Sequence, residues 1–285
     1  MLVMRGDFKV EIPNPKVLAV TCTRDGYANP SRRLPDKHIR LFHGRTLDEW
    51  YAIRCWASQY VTDWCIVGET EEHCDRIRPM MERYGGTVIC RPPEFLHPIE
   101  DTGGMPMRYG MQEMVRMKGW YNCVVNNFVV NPVLPPNFFD RMVYEFIRQR
   151  ETCEDSMGIA VLQPVYHPQE TFYEELPNGR LKWVGQRMTN SGKASNRWAA
   201  AGGATVTNID MSLLTWNACL AGNWKFLSKS QGPMKMEVPK WTDKHIDTED
   251  EWAEAEFWFG KKIGVGDAAL EAYSEYREGW ASEEG

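Results

Sequence analysis

"KVLAVTC" (residues 16–22), followed at once by "TRDGYANPSRRLPDKHI" (23–39), is the stretch from which the rest of the chain can be read. The first half is a short apolar run rich in β-branched residues, the composition of a buried strand. The second half places Arg24, Arg32, Arg33 and Lys37 within fourteen residues, with Gly26, Ser31 and two prolines among them. This concentration of positive charge contrasts with the whole chain, whose 33 Lys and Arg against 39 Asp and Glu leave a net charge of −6.

Outward from that stretch the pattern alternates. "DWCIVGE" (63–69), "TVICR" (87–91) and "NCVVNNFVV" (122–130) are further β-rich runs. Between them lie helix-like segments at 46–60, 70–86 and 103–118. Thr70 suits an N-cap with Glu71 and Glu72 in the first turn, and Gly85-Gly86 suits the stop. Strands and amphipathic helices in alternation predict βαβ units and a mostly parallel sheet. Ligands on such sheets bind beyond the carboxyl ends of the strands, where the cationic loop falls. After Pro132 the pattern predicts a helix over 137–150, a hairpin around "EELPNGRLKWV" and an exposed loop at 185–198. A strand at 202–210, a short helix in "MSLLTWNACLAG" and an acidic helical tail from Gly266 complete the expectation. One domain with an inserted arm fits this order better than two domains.

Composition narrows the class. The 285 residues are 43% hydrophobic and 25% charged, which is ordinary for a soluble globular protein. The acidic balance argues against a general nucleic-acid binder, and no apolar run approaches the ~20 residues that span a bilayer. The first fifteen residues lack the apolar core of a secretory signal. The eight cysteines are never closer than nine positions, so no C-x-x-C metal pair exists. Buried free thiols and a cytoplasmic setting are the economical expectation.

A nucleoside triphosphate needs forked guanidinium donors and N–H groups around its phosphates, and Arg24, Arg33 and Lys37 offer those donors. The alternative is a solvated basic loop. No Walker A loop and no G-x-G-x-x-G occurs.

"SRRLPDKHI" resembles the nucleotide-binding signature of the sugar-activating cytidylyltransferases, the family of CMP-N-acetylneuraminate and CMP-Kdo synthetases. That signature runs from an arginine to S-K-R-L-P-G-K-N-I. Arg24 matches its leading arginine, Ser31 its serine, and Arg32 stands at its lysine. Arg33-Leu34-Pro35 and Lys37 match directly. The departures are about four extra residues after Arg24, Asp36 for glycine and His38 for asparagine. Four further blocks resemble the family in order: "DWCIVGETEEHCDRIRPMMERYGGTVICRPPEF", "NNFVVNPVLPPNFFDRM", "AAAGGATVTNID" and "HIDTEDEWAEAE". Together with "SRRLPDKHI" they cover most of residues 17–257.

The resemblance implies a doubly wound, mostly parallel α/β nucleotide-binding sheet with an inserted arm. It implies a nucleotidyltransferase domain over 1–263, with a dimer-forming arm at about 160–200, and an acidic helical tail over 264–285. The implied reaction moves CMP from CTP onto the hydroxyl of a small acidic acceptor and releases pyrophosphate, with Mg²⁺ or the softer Mn²⁺ as the ion. Ser31, Arg32 and Arg91 would then bind nucleotide. Asn126 and Asn127, where relatives often have glutamine, could contact base or sugar or merely end a strand. Lys193 and Arg197 are the candidates for the acceptor's carboxylate. Asp243, His245 and Asp247 recur at every second position, so an extended backbone would project them from one face. In relatives this segment binds magnesium, and His245 replaces an acidic residue. Asp247 could ligate the ion, the histidine could suit Mn²⁺, or Asp247 or Thr248 could simply cap the next helix. Two other classes stay open: a glycosyltransferase of similar fold, and a non-catalytic nucleotide-binding relative.

Overall fold

A computed structural model describes residues 15–26, 34–93, 104–150, 157–161, 171–175, 181–186, 198–207, 234–242 and 244–281. Strand β1 (Val17–Cys22) is an interior strand of the sheet. From it the chain moves through helix α1 (Leu47–Ala57) to β2 (Val61–Gly68), and through α2 (Glu71–Arg83) to β3 (Thr87–Cys90). It then crosses back through α3 (Gly104–Lys118) to β4 (Cys123–Asn126) on the other side of β1. β1 pairs in parallel with both β2 and β4, and β2 in parallel with β3. This reversal of winding is the doubly wound arrangement, and the gap between β1 and β4 is its switch point.

After α4 (Phe138–Arg150) come β5 (Met157–Val161), the antiparallel pair β6 (Thr171–Glu175) and β7 (Leu181–Gln186), and β8 (Trp198–Thr207). β8 lies antiparallel between β4 and β5, and β9 (Met234–Glu237) runs parallel to β5 at the edge. The path is β3-β2-β1-β4-β8-β5-β9, with β6 and β7 branching from β8. Helices α5 (Glu249–Lys262) and α6 (Asp267–Ala281) close the described chain.

Alternation along β1 explains the two layers. Leu18 and Val20 join Val124, Cys65 and Val67 under Met107, Met111 and Met114 of α3. Val17 and Ala19 face the opposite, larger core of α1, α4, α5 and α6. Gly110 lets α3 approach closely, since a Cβ there would lie 2.4 Å from Val67 Cγ2.

Several boundaries differ from expectation for physical reasons. The run at 122–130 forms strand only through Asn126. Beyond it the Val130 carbonyl accepts from the Ile246 N–H at 2.9 Å, and Val129 and Val130 pack into the larger core. The strand expected at 202–210 begins earlier, at Trp198, because its first residues pair with β6. The helix expected in "MSLLTWNACLAG" lies outside the described residues. The tail helix packs on the larger core through Leu270, Tyr273 and Tyr276. Tyr273 is fully buried and donates to the Leu134 carbonyl at 2.7 Å. Thr70 does cap α2, accepting from the His73 N–H at 3.1 Å.

Asp140 joins three elements. Its buried carboxylate accepts from Ser58 Oγ, from the Gln59 and Tyr60 N–H groups at 3.0 and 3.1 Å, and from Tyr276 Oη at 2.7 Å. Truncation strands these donors, so Asp140→Ala is expected to lower unfolding stability by on the order of 3 kcal/mol. Asp140→Asn, which keeps one acceptor oxygen, should lose less. Urea denaturation with an unchanged m-value checks both.

Candidate functional site

The turns that follow β1, β2, β3 and β4 meet at one edge, because parallel strands all end there. Directly after β1, the Thr23 N–H donates to the Val67 carbonyl at 3.1 Å. Next come the partly exposed Arg24 and the buried Asp25. Gly26 packs flush against the returning chain, since a Cβ there would stand 2.8 Å from Ile39 Cγ2. The residues 27–33, which include Ser31, Arg32 and Arg33, lie outside the described residues.

Lys37 carries the main long-range contact of this edge. Its Nζ donates to Asp247 Oδ1 at 2.6 Å and to the Ile246 carbonyl at 2.9 Å, and both side chains are nearly buried. An ammonium has three N–H donors, and these two acceptors are the ones it meets among the described residues. Burial alone would raise the Asp247 carboxyl. Hydrogen bonds from His245 and Lys37, with the Lys37 charge, instead hold it well below the usual carboxylate range.

The pair is brought together by what surrounds it. Phe42, after the turn, meets Trp252 and Phe259 of α5 edge-on at 5.4 and 5.2 Å. Arg40 reaches Glu249 with NH1 at 3.0 and 2.8 Å and lies 4.5 Å over the Trp252 ring. Thr248, rather than Asp247, is the N-cap of α5, accepting from the Glu251 N–H at 3.3 Å. The Glu251 carboxylate in return accepts from the Asp247 N–H at 2.8 Å.

His245 Nε2 sits 3.4 Å from Asp247 Oδ2, so these two candidate ligands share a face, while Asp243 lies outside the described residues. Among the described residues no group of three or more His, Cys, Asp or Glu is arranged to hold a metal. Mg²⁺ commonly takes one or two carboxylates and completes its shell with phosphates and water. Asp247 fits that pattern as one hard oxygen donor, through the carboxylate already shared with Lys37.

At the end of β4, Asn126 pairs with Val20 of β1 and is buried. Asn127 is 1% exposed, and neither its amide nitrogen nor its amide oxygen has a hydrogen-bond partner among the described residues. A buried amide left unpaired is costly, and this one lies at the switch point of the sheet. Lys193 and Arg197 lie outside the described residues.

Arg91, just beyond β3, is buried with its NH2 2.9 Å from Glu69 Oε1. Glu69 Oε2 accepts from the Asp25 N–H at 2.8 Å. The Asp25 carboxylate in turn accepts from Thr70 Oγ1 at 2.8 Å and Arg76 NH2 at 2.5 Å. Charge counting drew attention to the cations of this edge and passed over Asp25 and Glu69. The available cue was positional: each is an acid within a few residues of the carboxyl end of a parallel strand.

No protein-family model matches the sequence, and no curated protein matches it. Three solved structures share the fold. One is a CMP:2-keto-3-deoxy-manno-octonic acid synthetase complexed with CTP: TM-score 0.61 and 12% identity over 87% of this chain and 100% of that one. A second is the 4-diphosphocytidyl-2C-methyl-D-erythritol synthase of Anaerococcus prevotii: TM-score 0.59 and 10% identity over 86% and 96% of the two chains. Another 4-diphosphocytidyl-2C-methyl-D-erythritol synthase gives TM-score 0.55 and 13% identity over 86% and 98%. At such identities the likeness is one of fold, and it agrees with the doubly wound α/β class expected from the sequence.

His38 supplies a pH test of this edge. Its Nδ1 lies 3.4 Å from Thr23 Oγ1. Burial first, and then the Lys37 charge, lower its pKa from 6.5 to about 4, against the opposing pull of Asp48. A depressed histidine contributes stability that is present above the unfolded pKa and lost as pH falls towards the folded one. Between pH 6.5 and 4 the folded protein should therefore lose up to about 1.4 kcal/mol per pH unit through His38. His38→Asn should flatten that part of the slope in urea titrations at stepped pH.

Proposed function

We propose that the chain is a CTP-using nucleotidyltransferase that transfers CMP to the hydroxyl of a small acidic acceptor and releases pyrophosphate. The observation that carries this reading is the buried Lys37–Asp247 contact, which fixes the 34–40 turn at the carboxyl edge of a sheet whose fold is shared with a solved CMP:2-keto-3-deoxy-manno-octonic acid synthetase. The unpaired amide of Asn127 on the same edge supports it.

In this reading Arg24, Arg33 and Lys37 draw on the β- and γ-phosphates. Ser31 and Arg32 complete the phosphate turn, Arg91, Asn126 and Asn127 serve the nucleoside side, and Lys193 and Arg197 receive the acceptor's carboxylate. The acceptor oxygen forms a bond to the α-phosphorus as the bond to pyrophosphate breaks, and the hydroxyl proton leaves to solvent. Fixed cations at the departing end stabilise the charge that develops there. Asp247 orients Lys37 and would offer one carboxylate oxygen to Mg²⁺ or Mn²⁺, with Asp243 and His245 as the further candidate ligands. Bound there, the ion would supply charge neutralisation on the phosphates. A homodimer formed through residues 160–200 and a cytoplasmic location belong to the same proposal.

Incubation with CTP, Mg²⁺ and a panel of small hydroxylated acids, with pyrophosphate as the readout, tests it. Release is expected with at least one acceptor, to be abolished by EDTA and restored by Mg²⁺ or Mn²⁺. Lys37→Met should reduce kcat by about 100-fold or more. Absence of release with every acceptor, together with absence of CTP binding, overturns the reading.

A further inference from the structure

The turns after β1 and β2 exchange carboxylates. Asp25, on the β1 turn, places its side chain on Thr70 and Arg76, which belong to the β2 turn and α2. Glu69, on the β2 turn, reaches back to the Asp25 N–H at 2.8 Å and forward to the Arg91 guanidinium at 2.9 Å. One side chain thereby spans the ends of β1, β2 and β3. Arg91 is anchored from its own backbone as well, since its N–H donates to the Gly68 carbonyl at 3.1 Å. Asp25, Glu69 and Arg91 are each at most 5% exposed.

Burial of this kind has a physical consequence. Charged hydrogen bonds are strong and directional in a low-dielectric site, so the carboxylate fixes both partners in position and angle. The Asp25 N–H belongs to the turn assigned to the phosphates, and Arg91 to the nucleoside side. We infer that Glu69 is a positioning residue that holds these two halves of the nucleotide site at a set separation. The inference rests on the nucleotide reading above. It assigns Glu69 no contact with the reacting atoms.

The two groups that Glu69 binds require different things of a substitute. Glutamine keeps the length but loses the charge and turns an NH2 group towards one of two donors. Aspartate keeps the charge but is one methylene short of spanning both. Each change loosens the pairing of the two turns while leaving Lys37, Asp247 and Asn127 in place.

The test compares wild type, Glu69→Gln, Glu69→Asp and Asp140→Asn in the pyrophosphate assay, with CTP affinity measured by calorimetry and Tm for each. Asp140 ties α1, α4 and α6 away from this edge, so its variant reports what loss of stability alone does. The expected result is that both Glu69 variants raise the KM and Kd for CTP by about tenfold, with the KM for the acceptor changed by less than about twofold. Asp140→Asn should lower Tm without moving the KM for CTP. If the Glu69 variants lower Tm but bind CTP as wild type does, Glu69 is structural only and the inference is overturned. Should Glu69→Gln not fold, Glu69→Asp decides by the same criterion. Wild type that fails to bind CTP overturns the nucleotide reading and this inference together, whereas wild-type binding with unaltered variants overturns this inference alone.

Discussion

A lysine at position 37 and an aspartate at 247 are 210 residues apart, and their side chains meet in a nearly water-free contact of 2.6 Å. Removing two charges from water is expensive, and good geometry with further hydrogen bonds is needed to offset it. Here the Ile246 carbonyl accepts a second hydrogen bond from the lysine, while His245 and the Glu251 capping contact hold the aspartate from the other side. These requirements fix the 34–40 turn to the entrance of α5. Edge-to-face contacts of Phe42 with Trp252 and Phe259 contribute about 0.5–1.5 kcal/mol each beyond the area they bury. The apolar packing brings the segments together, and the ion pair selects one register for them.

The same logic explains how an acidic chain keeps a cationic edge. Each described cation there, apart from the partly exposed Arg24, has a defined acceptor: Lys37 has Asp247, Arg40 has Glu249, Arg76 has Asp25 and Arg91 has Glu69. The carboxylates do not cancel the site. They neutralise the charge lost to burial and hold each cation at a defined place. His38 fits this economy as a neutral neighbour. Its pKa of about 4 keeps a second positive charge from forming beside Lys37 at neutral pH.

Much of the fold was legible because it depends on local rules. Apolar β-branched runs gave the four parallel strands, and Thr70 with its following acids gave the start of α2. Legibility failed where a tertiary contact competes with local preference. Val129 and Val130 are good strand residues, yet the Ile246 N–H and the core claim them, and β4 stops at Asn126. Asp247 and Thr248 are both good caps by composition. The lysine takes the aspartate's side chain, and the threonine becomes the cap. The cations of the site could be found by counting charge. Asp25 and Glu69 could not, because an acid in a turn looks the same in sequence whether it faces water or a buried arginine.

Buried polar groups show where this structure spends stability. Asn127 and Asn131 bury their amides without partners among the described residues, and both lie in the short segment between β4 and α4. Arg54 is fully buried beside them, with one of its three nitrogens on the Asn131 carbonyl at 2.9 Å. An apolar side chain at 127 or 131 would avoid the cost of an unpaired amide, and the surrounding core has the composition to receive one. For Asn131 no compensating contact is evident. Asn127 differs in its position, because it follows directly on the strand that opens the crevice beside β1. In the nucleotide reading proposed above, a donor and an acceptor held there and kept from water would pair with the ligand and recover the energy withheld in the free protein.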